Sequence, residues 1–467
     1  MKKIYALVAA LVLTGCSRVP TYKDVPAPAK AASTLVPVSD TYGETVAYTD
    51  EGIADACHGE WTSDDGICTI KKMDHYWDVT IDYENSTPAE AGQSYAKTIV
   101  AAFPDYAAVM EPYLYENIIA GFPALKDDYE PVRDRIYTLA ESLRPEQREE
   151  LYAFAETISG GVRGYAQDGV LSYDEALTFD LIPEGLRGTA CSALSLWGSK
   201  TVSGEGLSLR LLDWQIGSEN QMCTSHAVVH AKKGDRSYTG ISFLGFNSIV
   251  SAVNDDGVFA SILDVGSDDE PYSCEAKKCY TWELRYALEE YSTAEEVGTF
   301  MVENSSSFTW SHNIFVTDAV SSYAAEDAVQ SLKAGGKGRA VLRGSDTPLL
   351  GGLTWDNEDS LCVVNSFAAN GNQDFFSNNL HNTVRWYKYN EWVKSRDCFS
   401  AGDVKTMISR EKVQQGMERG EALTRNVRVP GTVQIILVDY STGNIQVSFT
   451  PVTGPDDNVI FTDVGHF

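Results

Sequence analysis

The sequence lacks several motifs by which common enzyme classes are detected. It has 7 histidines in 467 residues. It has no His-Glu-x-x-His and no Cys-x-x-Cys, which argues against zinc and thioredoxin-like chemistry. No Gly-x-Ser-x-Gly turn of the kind that presents a catalytic serine is present. We therefore expect neither a metal nor a cofactor.

Basic residues are scarce. Lysine and arginine number 37 against 66 aspartates and glutamates, and the formal net charge is -29. Nucleic acid is excluded as a partner by this balance, because phosphate binding needs a basic surface. We interpret the acidic excess as a solubility feature, and we expect a small-molecule substrate.

Long apolar runs are also rare. Ile4–Leu13 is apolar but too short to span a bilayer, and no other stretch reaches that length. Positive charge precedes this run at Lys2 and Lys3, and Leu13-Thr14-Gly15-Cys16 follows it. This order resembles a bacterial lipoprotein signal, which implies removal of residues 1–15 and lipid attachment to Cys16.

The segment after the signal, residues 16–55, is rich in proline, alanine, serine and threonine and predicts a flexible tether. The lipid would be the only membrane anchor. By the same resemblance, Ser17 implies transfer to the outer membrane in a Gram-negative host. We thus expect an exported protein of the cell envelope.

The rest of the chain predicts an α+β protein. Residues 56–190 are mostly helical in pattern, with one helix opening at Pro145 and another at Ser172. From Cys191 to Phe467, short β-branched strands alternate with helices. That alternation favours sheets covered by helices.

One segment carries the functional signal. Thr189-Ala190-Cys191-Ser192-Ala193 precedes a predicted strand and turn, and Arg210-Leu211-Leu212-Asp213 lies on the returning strand. Further along come Asn254-Asp255-Asp256-Gly257, Val363-Val364-Asn365 and Asn382-Thr383-Val384-Arg385. In this order the motifs resemble the choloylglycine hydrolase and penicillin acyltransferase-like family of Ntn hydrolases, over roughly residues 140–450.

The resemblance implies an αββα sandwich of two antiparallel sheets between helical layers, with 191–467 as the catalytic core. It also implies that the chain cuts itself between Ala190 and Cys191. The thiol of Cys191 then attacks a linear amide, and its own α-amine serves as base. This is chemically reasonable, because an α-amino group titrates near 7.7 to 8.0 and a thiol attacks only as thiolate.

Carried over residue by residue, the resemblance assigns a role to each polar position. Arg210 would favour the thiolate and Asp213 would hold the new amine. Asn365 would form an oxyanion hole or orient the amine. Arg385 would complete the polar network. At the position where relatives have an oxyanion-binding asparagine, this sequence has Asp264, whose carboxylate would repel an oxyanion unless protonated. Either the register differs from that of the family, or main-chain N–H groups form the oxyanion hole.

Other interpretations remain open at this point. An acyltransferase would use the same acyl-enzyme, and a non-catalytic envelope lipoprotein would keep the chain whole. Cys191 considered alone would be a small core residue.

Export permits disulfides. We expect Cys57 with Cys68 and Cys274 with Cys279 as local loops, and Cys362 as a free thiol.

The lipid anchor can be tested directly. Replacing Cys16 by Ala should abolish incorporation of labelled fatty acid and move the protein out of the membrane fraction, because the sulfur that accepts the lipid is gone. Ser17→Ala is the matched control and should still be labelled. Labelling that survives in the Cys16 variant would disprove the assignment.

Overall fold

The computed structural model describes residues 48–121, 128–186, 191–265, 273–329, 338–372, 376, 380–411, 413 and 427–467. The predicted lipidation site Cys16 and the predicted cleavage residue Ala190 lie outside these ranges. Within them, no helix has the length and apolarity needed to cross a membrane.

The larger of two sheets has ten strands within the described ranges. All neighbours pair antiparallel except one. In spatial order the strands are β1 (Cys57–Thr62), β2 (Cys68–Met73), β3 (Trp77–Asp82), β6 (His226–Lys232), β7 (Tyr238–Phe243), β8 (Ser251–Asn254), β9 (Phe259–Asp264), β10 (His312–Thr317), β11 (Ser322–Asp327) and β12 (Ala340–Arg343).

The smaller sheet is antiparallel throughout and carries both strands that flank Cys191. In spatial order its strands are β13 (Ser360–Val364), β4 (Ser192–Leu196), β5 (Leu207–Asp213), β14 (Thr432–Asp439), β15 (Asn444–Phe449) and β16 (Thr462–His466). Its strands are almost wholly buried, because both faces are covered.

The helices cover the outer faces of both sheets. They are α1 (Pro88–Ala102), α2 (Tyr106–Gly121), α3 (Glu130–Glu141), α4 (Pro145–Ile158), α5 (Tyr173–Asp180), α6 (Ile182–Gly185), α7 (Gln221–Thr224), α8 (Tyr280–Glu290), α9 (Ala294–Glu303), α10 (Leu380–Lys394) and α11 (Ala401–Ser409). Helices α1, α8 and α9 pack on the larger sheet, and α10 packs on the smaller one.

Side-chain alternation shows that the two sheets face each other. On β5, Leu209 and Leu211 point outward into an apolar cluster with Trp386 of α10. Ser208 points inward and donates its hydroxyl to Thr317 Oγ1 of the larger sheet at 3.0 Å. The order is therefore helices, six strands, ten strands, helices, which confirms the predicted αββα sandwich.

The first segment contributes strands as well as helices. β3 reads Trp-Asp-Val-Thr-Ile-Asp with alternate residues buried, and it pairs parallel with β6, so that Trp77 lies opposite Ala227. The sequence pattern indicates none of the strands β1–β3, because each is short and carries charged residues. As a result, the larger sheet is built from both sides of position 190.

Both disulfides expected from the sequence are wrong, since all eight cysteines in the described ranges are free. Cys57 lies opposite Met73, at the far end of the β1–β2 hairpin from Cys68. From Met73 to Cys68, strand β2 extends over five positions, or about 17 Å, so Cys57 and Cys68 lie about that far apart. Cys274 and Cys279 are also unpaired.

Close packing of α1 on α4 gives a stability prediction. A Cβ added at Gly92 would lie 2.2 Å from the Glu150 carbonyl oxygen and 3.0 Å from the Phe154 main-chain nitrogen. Glycine to alanine normally stabilises a helix by up to about 1 kcal/mol. Here we expect the opposite sign, a loss of about 1–3 kcal/mol in the free energy of unfolding, because main-chain atoms must move.

Urea unfolding measures this change. Gln93→Ala, at the exposed neighbouring position, is the control and should stay within about 0.5 kcal/mol of the wild type. Equal or greater stability of Gly92→Ala would show that the two helices are not packed this closely.

Candidate active site

Strand register brings the predicted residues to Cys191. Cys191 directly precedes β4, which lies between β5 and β13. Ser192 lies opposite Leu211 on one side and Val364 on the other. The next step along β4 therefore places Cys191 beside the end of β5 and beside Asn365. Cys191 itself is 3% exposed.

Arg210 supplies a positive charge to the thiol from the space between the sheets. Its Nη2 lies 3.5 Å from Cys191 Sγ and donates to the Ile262 carbonyl at 2.9 Å. Burial raises the pKa of the Cys191 thiol, and the Arg210 guanidinium opposes that rise. The site thus holds a desolvated sulfur next to a fixed cation, and that cation makes the thiolate less costly than it would be for a thiol buried without one.

Asn365 contacts the main-chain nitrogen of the same cysteine. The Cys191 N–H donates to Asn365 Oδ1, and Asn365 Nδ2 donates to the Asp264 carbonyl. The side chain therefore links the end of β4 to the end of β9.

Asp213 lies on the opposite face of β5 from Arg210, because the two residues are three positions apart on the strand and successive side chains alternate between faces. Its carboxylate accepts from Arg385 Nη2 and, at 2.6 Å, from the Thr432 hydroxyl. Arg385 also donates to the Val427 carbonyl at 2.7 Å. Burial raises the pKa of Asp213, which Arg385 and Thr432 counter.

The main chain of Asp213 completes the contacts of the sulfur. The Asp213 carbonyl oxygen lies 3.8 Å from Cys191 Sγ. Cys191 therefore has Asp213 on one side, Arg210 on another and Asn365 at its nitrogen. The structure brings together four of the predicted residues, Arg210, Asp213, Asn365 and Arg385, around Cys191.

Asp264 is placed differently from the prediction. It pairs with His312 on β10, so both side chains lie on the same face of the larger sheet. His312 stacks on Tyr280 of α8 with ring centroids 4.2 Å apart, which makes this the helix-covered face. Asp264 thus contacts the site through its carbonyl, and its carboxylate points away from the sheet interface that contains Arg210.

The chain that approaches the site is anchored by two fully buried carboxylates. Asp180 accepts from the Asn247 main-chain N–H at 2.7 Å and from Trp282 Nε1 at 3.0 Å. Glu184 Oε1 accepts from the Thr281 main-chain N–H at 2.9 Å. Burial raises the pKa of both carboxyls to about 7. Helices α5 and α6 are therefore held in place just before residues 187–190.

Three contributors to the site were not predicted as site residues. Thr432 bonds Asp213, and Asn313 and Asn382 bond the turn that carries Asn365. Asn382 had a detectable signal, since it lies three residues before Arg385 on one helical face. Thr432 and Asn313 had none, because their contacts depend on strand pairing across long sequence distances.

No family model and no curated protein matches this chain. Among solved structures, it is similar to a Caenorhabditis elegans N-acylethanolamine-hydrolyzing acid amidase ortholog at 12% identity, covering 57% of this chain and 95% of the other with a TM-score of 0.34. It is also similar to penicillin V acylase from Agrobacterium tumefaciens at 14% identity, with 56% and 84% coverage and a TM-score of 0.33.

A third similar structure is a mutant of conjugated bile acid hydrolase from Clostridium perfringens. It shares 10% identity and covers 59% of this chain and 97% of the other, with a TM-score of 0.33. The chemistry proposed below rests on the contacts of this chain's own side chains.

The Arg210–Cys191 contact predicts that loss of the guanidinium will shift the pH at which the thiol reacts. Arg210→Met should move the midpoint of Cys191 alkylation by iodoacetamide upward by about 1 to 3 pH units, because the thiolate loses its nearby cation. The rate is followed on the Cys191 peptide by mass spectrometry across a pH series.

Arg210→Lys is the matched control for this shift. It keeps the positive charge, so its midpoint should lie closer to that of the wild type. An unchanged midpoint in Arg210→Met would mean that the guanidinium does not stabilise the thiolate.

Proposed function

We propose that this protein is an autoprocessed N-terminal-cysteine hydrolase that cleaves linear amides through an acyl-enzyme. The observation that carries the proposal is the surroundings of Cys191. A cation lies 3.5 Å from its sulfur, and an amide oxygen accepts from its nitrogen. A buried structural cysteine needs an acceptor for its main-chain N–H but no cation at its sulfur, whereas a nucleophile whose own amine is the base uses both contacts.

The first step of the proposal is self-cleavage. Cys191 Sγ attacks the carbonyl carbon of residue 190, the bond to the Cys191 nitrogen breaks as a thioester forms, and the thiol proton goes to that nitrogen. Water then hydrolyses the thioester, which leaves a carboxylate on residue 190 and a free amine on Cys191. The anchored carboxylates of α5 and α6 and the pairing of β4 support this step, because they hold the chain on both sides of residues 187–190.

The second step uses the amine that the first step creates. It takes the proton of the thiol, and the thiolate attacks the substrate carbonyl. The proton then goes to the leaving amine as the C–N bond breaks, and water releases the acyl group from sulfur. Asn365 would hold the Cys191 amine in line with the sulfur. Arg210 would stabilise the thiolate, and the Asp213–Arg385 pair would fix the end of β5.

The substrate class follows from this chemistry and from the expected location. An exported protein anchored by Cys16 would meet N-acylated small molecules that reach the cell envelope. We propose such linear amides as substrates. An acyltransferase would form the same thioester and pass the acyl group to an amine instead of water.

The test is the N-terminal sequence and intact mass of the purified protein. We expect two chains, one of which begins Cys-Ser-Ala-Leu. Cys191→Ala should remain a single chain and lose amide hydrolysis by about 10³-fold or more, because the nucleophile is gone. A panel of N-acyl amides with chromogenic amines measures turnover, and added acceptor amines reveal any acyl transfer.

Cys362→Ala is the matched control. Cys362 lies on the adjacent strand β13, is fully buried and is free as expected, but its side chain points into the outer apolar cluster. This variant should be cut and active. The proposal fails if the wild type is isolated uncut, or if Cys191→Ala keeps its activity.

A further inference from the structure

The turn that carries Asn365 is held by two buried carboxamides from other elements. Ser366 N–H donates to the Val364 carbonyl at 2.7 Å, which closes a three-residue γ-turn with Asn365 at its centre. Asn313 on β10 and Asn382 on α10 approach this turn from different elements, and neither side chain is exposed.

The two carboxamides between them bond every main-chain carbonyl of the turn. Asn313 Nδ2 donates to the Val364 carbonyl at 2.9 Å and to the Ser366 carbonyl at 3.2 Å. Asn382 Nδ2 donates to the Asn365 carbonyl at 2.9 Å and to the Ser366 hydroxyl at 2.8 Å. Backbone of this kind, outside helix and sheet ladders, needs such partners when it is buried.

A γ-turn offers Asn365 little support of its own, because it has one internal hydrogen bond. The orientation of the Asn365 side chain is therefore set by what holds the carbonyls on each side of it. That side chain accepts from the Cys191 nitrogen and donates to the Asp264 carbonyl. Movement of the turn would move Asn365 Oδ1 relative to the nitrogen and sulfur of Cys191.

We propose that Asn313 and Asn382 are positioning residues for the Cys191 amine, acting through the γ-turn that carries Asn365. This inference rests on the proposed function, since the amine is the base of the reaction. Neither residue touches Cys191. Their contribution is to fix the acceptor that orients it, and small misplacements of reacting groups cost on the order of 10²-fold in rate.

The chain offers a matched control in Asn254 on β8. Its Nδ2 also donates to two main-chain carbonyls, those of Leu288 and Tyr291, each at 3.0 Å, and the residue is 3% exposed. Asn254 bonds the end of α8, and its Oδ1 accepts from the Val258 main-chain N–H at 2.8 Å; among the described residues it bonds no atom of the Asn365 turn. Its loss should therefore lower stability at least as much as loss of Asn313 and leave the site unchanged.

The experiment compares Asn313→Ala, Asn382→Ala and Asn382→Asp with Asn254→Ala in the full-length protein. We expect the first three to lower kcat for amide hydrolysis by about 10- to 10²-fold. They should also shift the pH midpoint of Cys191 alkylation. Asn254→Ala should show a similar fall in melting temperature with wild-type kcat and midpoint.

Asn382→Asp separates the loss of hydrogen-bond donation from the loss of side-chain volume. It keeps the size of the side chain but removes the hydrogens that Nδ2 donates, so it should be as impaired as Asn382→Ala. It also lies on α10, so it gives the same information if Asn313→Ala is not recovered folded. Wild-type kcat and alkylation midpoint in the Asn382 variants would overturn the inference.

Failure of this inference can be distinguished from failure of the proposed function. If the wild type is uncut and its activity does not depend on Cys191, the proposed function is wrong. If the wild type is cut and depends on Cys191 but the Asn313 and Asn382 variants behave like Asn254→Ala, only the positioning role is wrong.

Discussion

The site depends on the register in which β4 lies between β5 and β13. Ser192 opposite Leu211 and Val364 is the last pair on each side, so Cys191 is the first residue beyond both ladders. A one-residue slip would turn every side chain of β4 to the other face. Such a slip is opposed because both faces of the sheet are packed: alternate residues of β4 face the core between the sheets and the apolar cluster under α10.

Charge balance explains why this register matters for chemistry. Three ionisable groups are buried near the sulfur: Arg210, Asp213 and Arg385. Asp213 and Arg385 form a direct pair, which leaves the guanidinium of Arg210 without a carboxylate bonded to it among the described residues. A buried charge without a counter-ion is costly, and a thiolate at Cys191 would neutralise it. The Arg210 guanidinium therefore lowers the cost of forming the thiolate, while burial still raises the pKa of Cys191.

Apolar alternation along the chain was enough to predict sheets covered by helices, and the order of the motifs, through their resemblance to a known family, predicted the two-sheet sandwich and the four polar residues grouped around Cys191. The roles of these residues are less accessible. Arg210 and Asp213 lie three apart on one strand, so they approach Cys191 from opposite faces. Spacing left the role of Asp264 open, since the face on which it lies depends on pairing with His312 and on the packing of α8.

Strands β1–β3 were missed for a related physical reason. They are short and half-exposed, and they are stable only as an extension of a sheet whose other strands follow 144 residues later. The parallel pairing of β3 with β6 needs a long connection during folding, and here that connection contains α1–α6. Once the sheet has formed, its hydrogen bonds and the buried contacts of Asp180 and Glu184 no longer depend on an intact chain. A cut before Cys191 would thus free the amine and leave the shared core intact, which makes the fold compatible with the proposed self-cleavage.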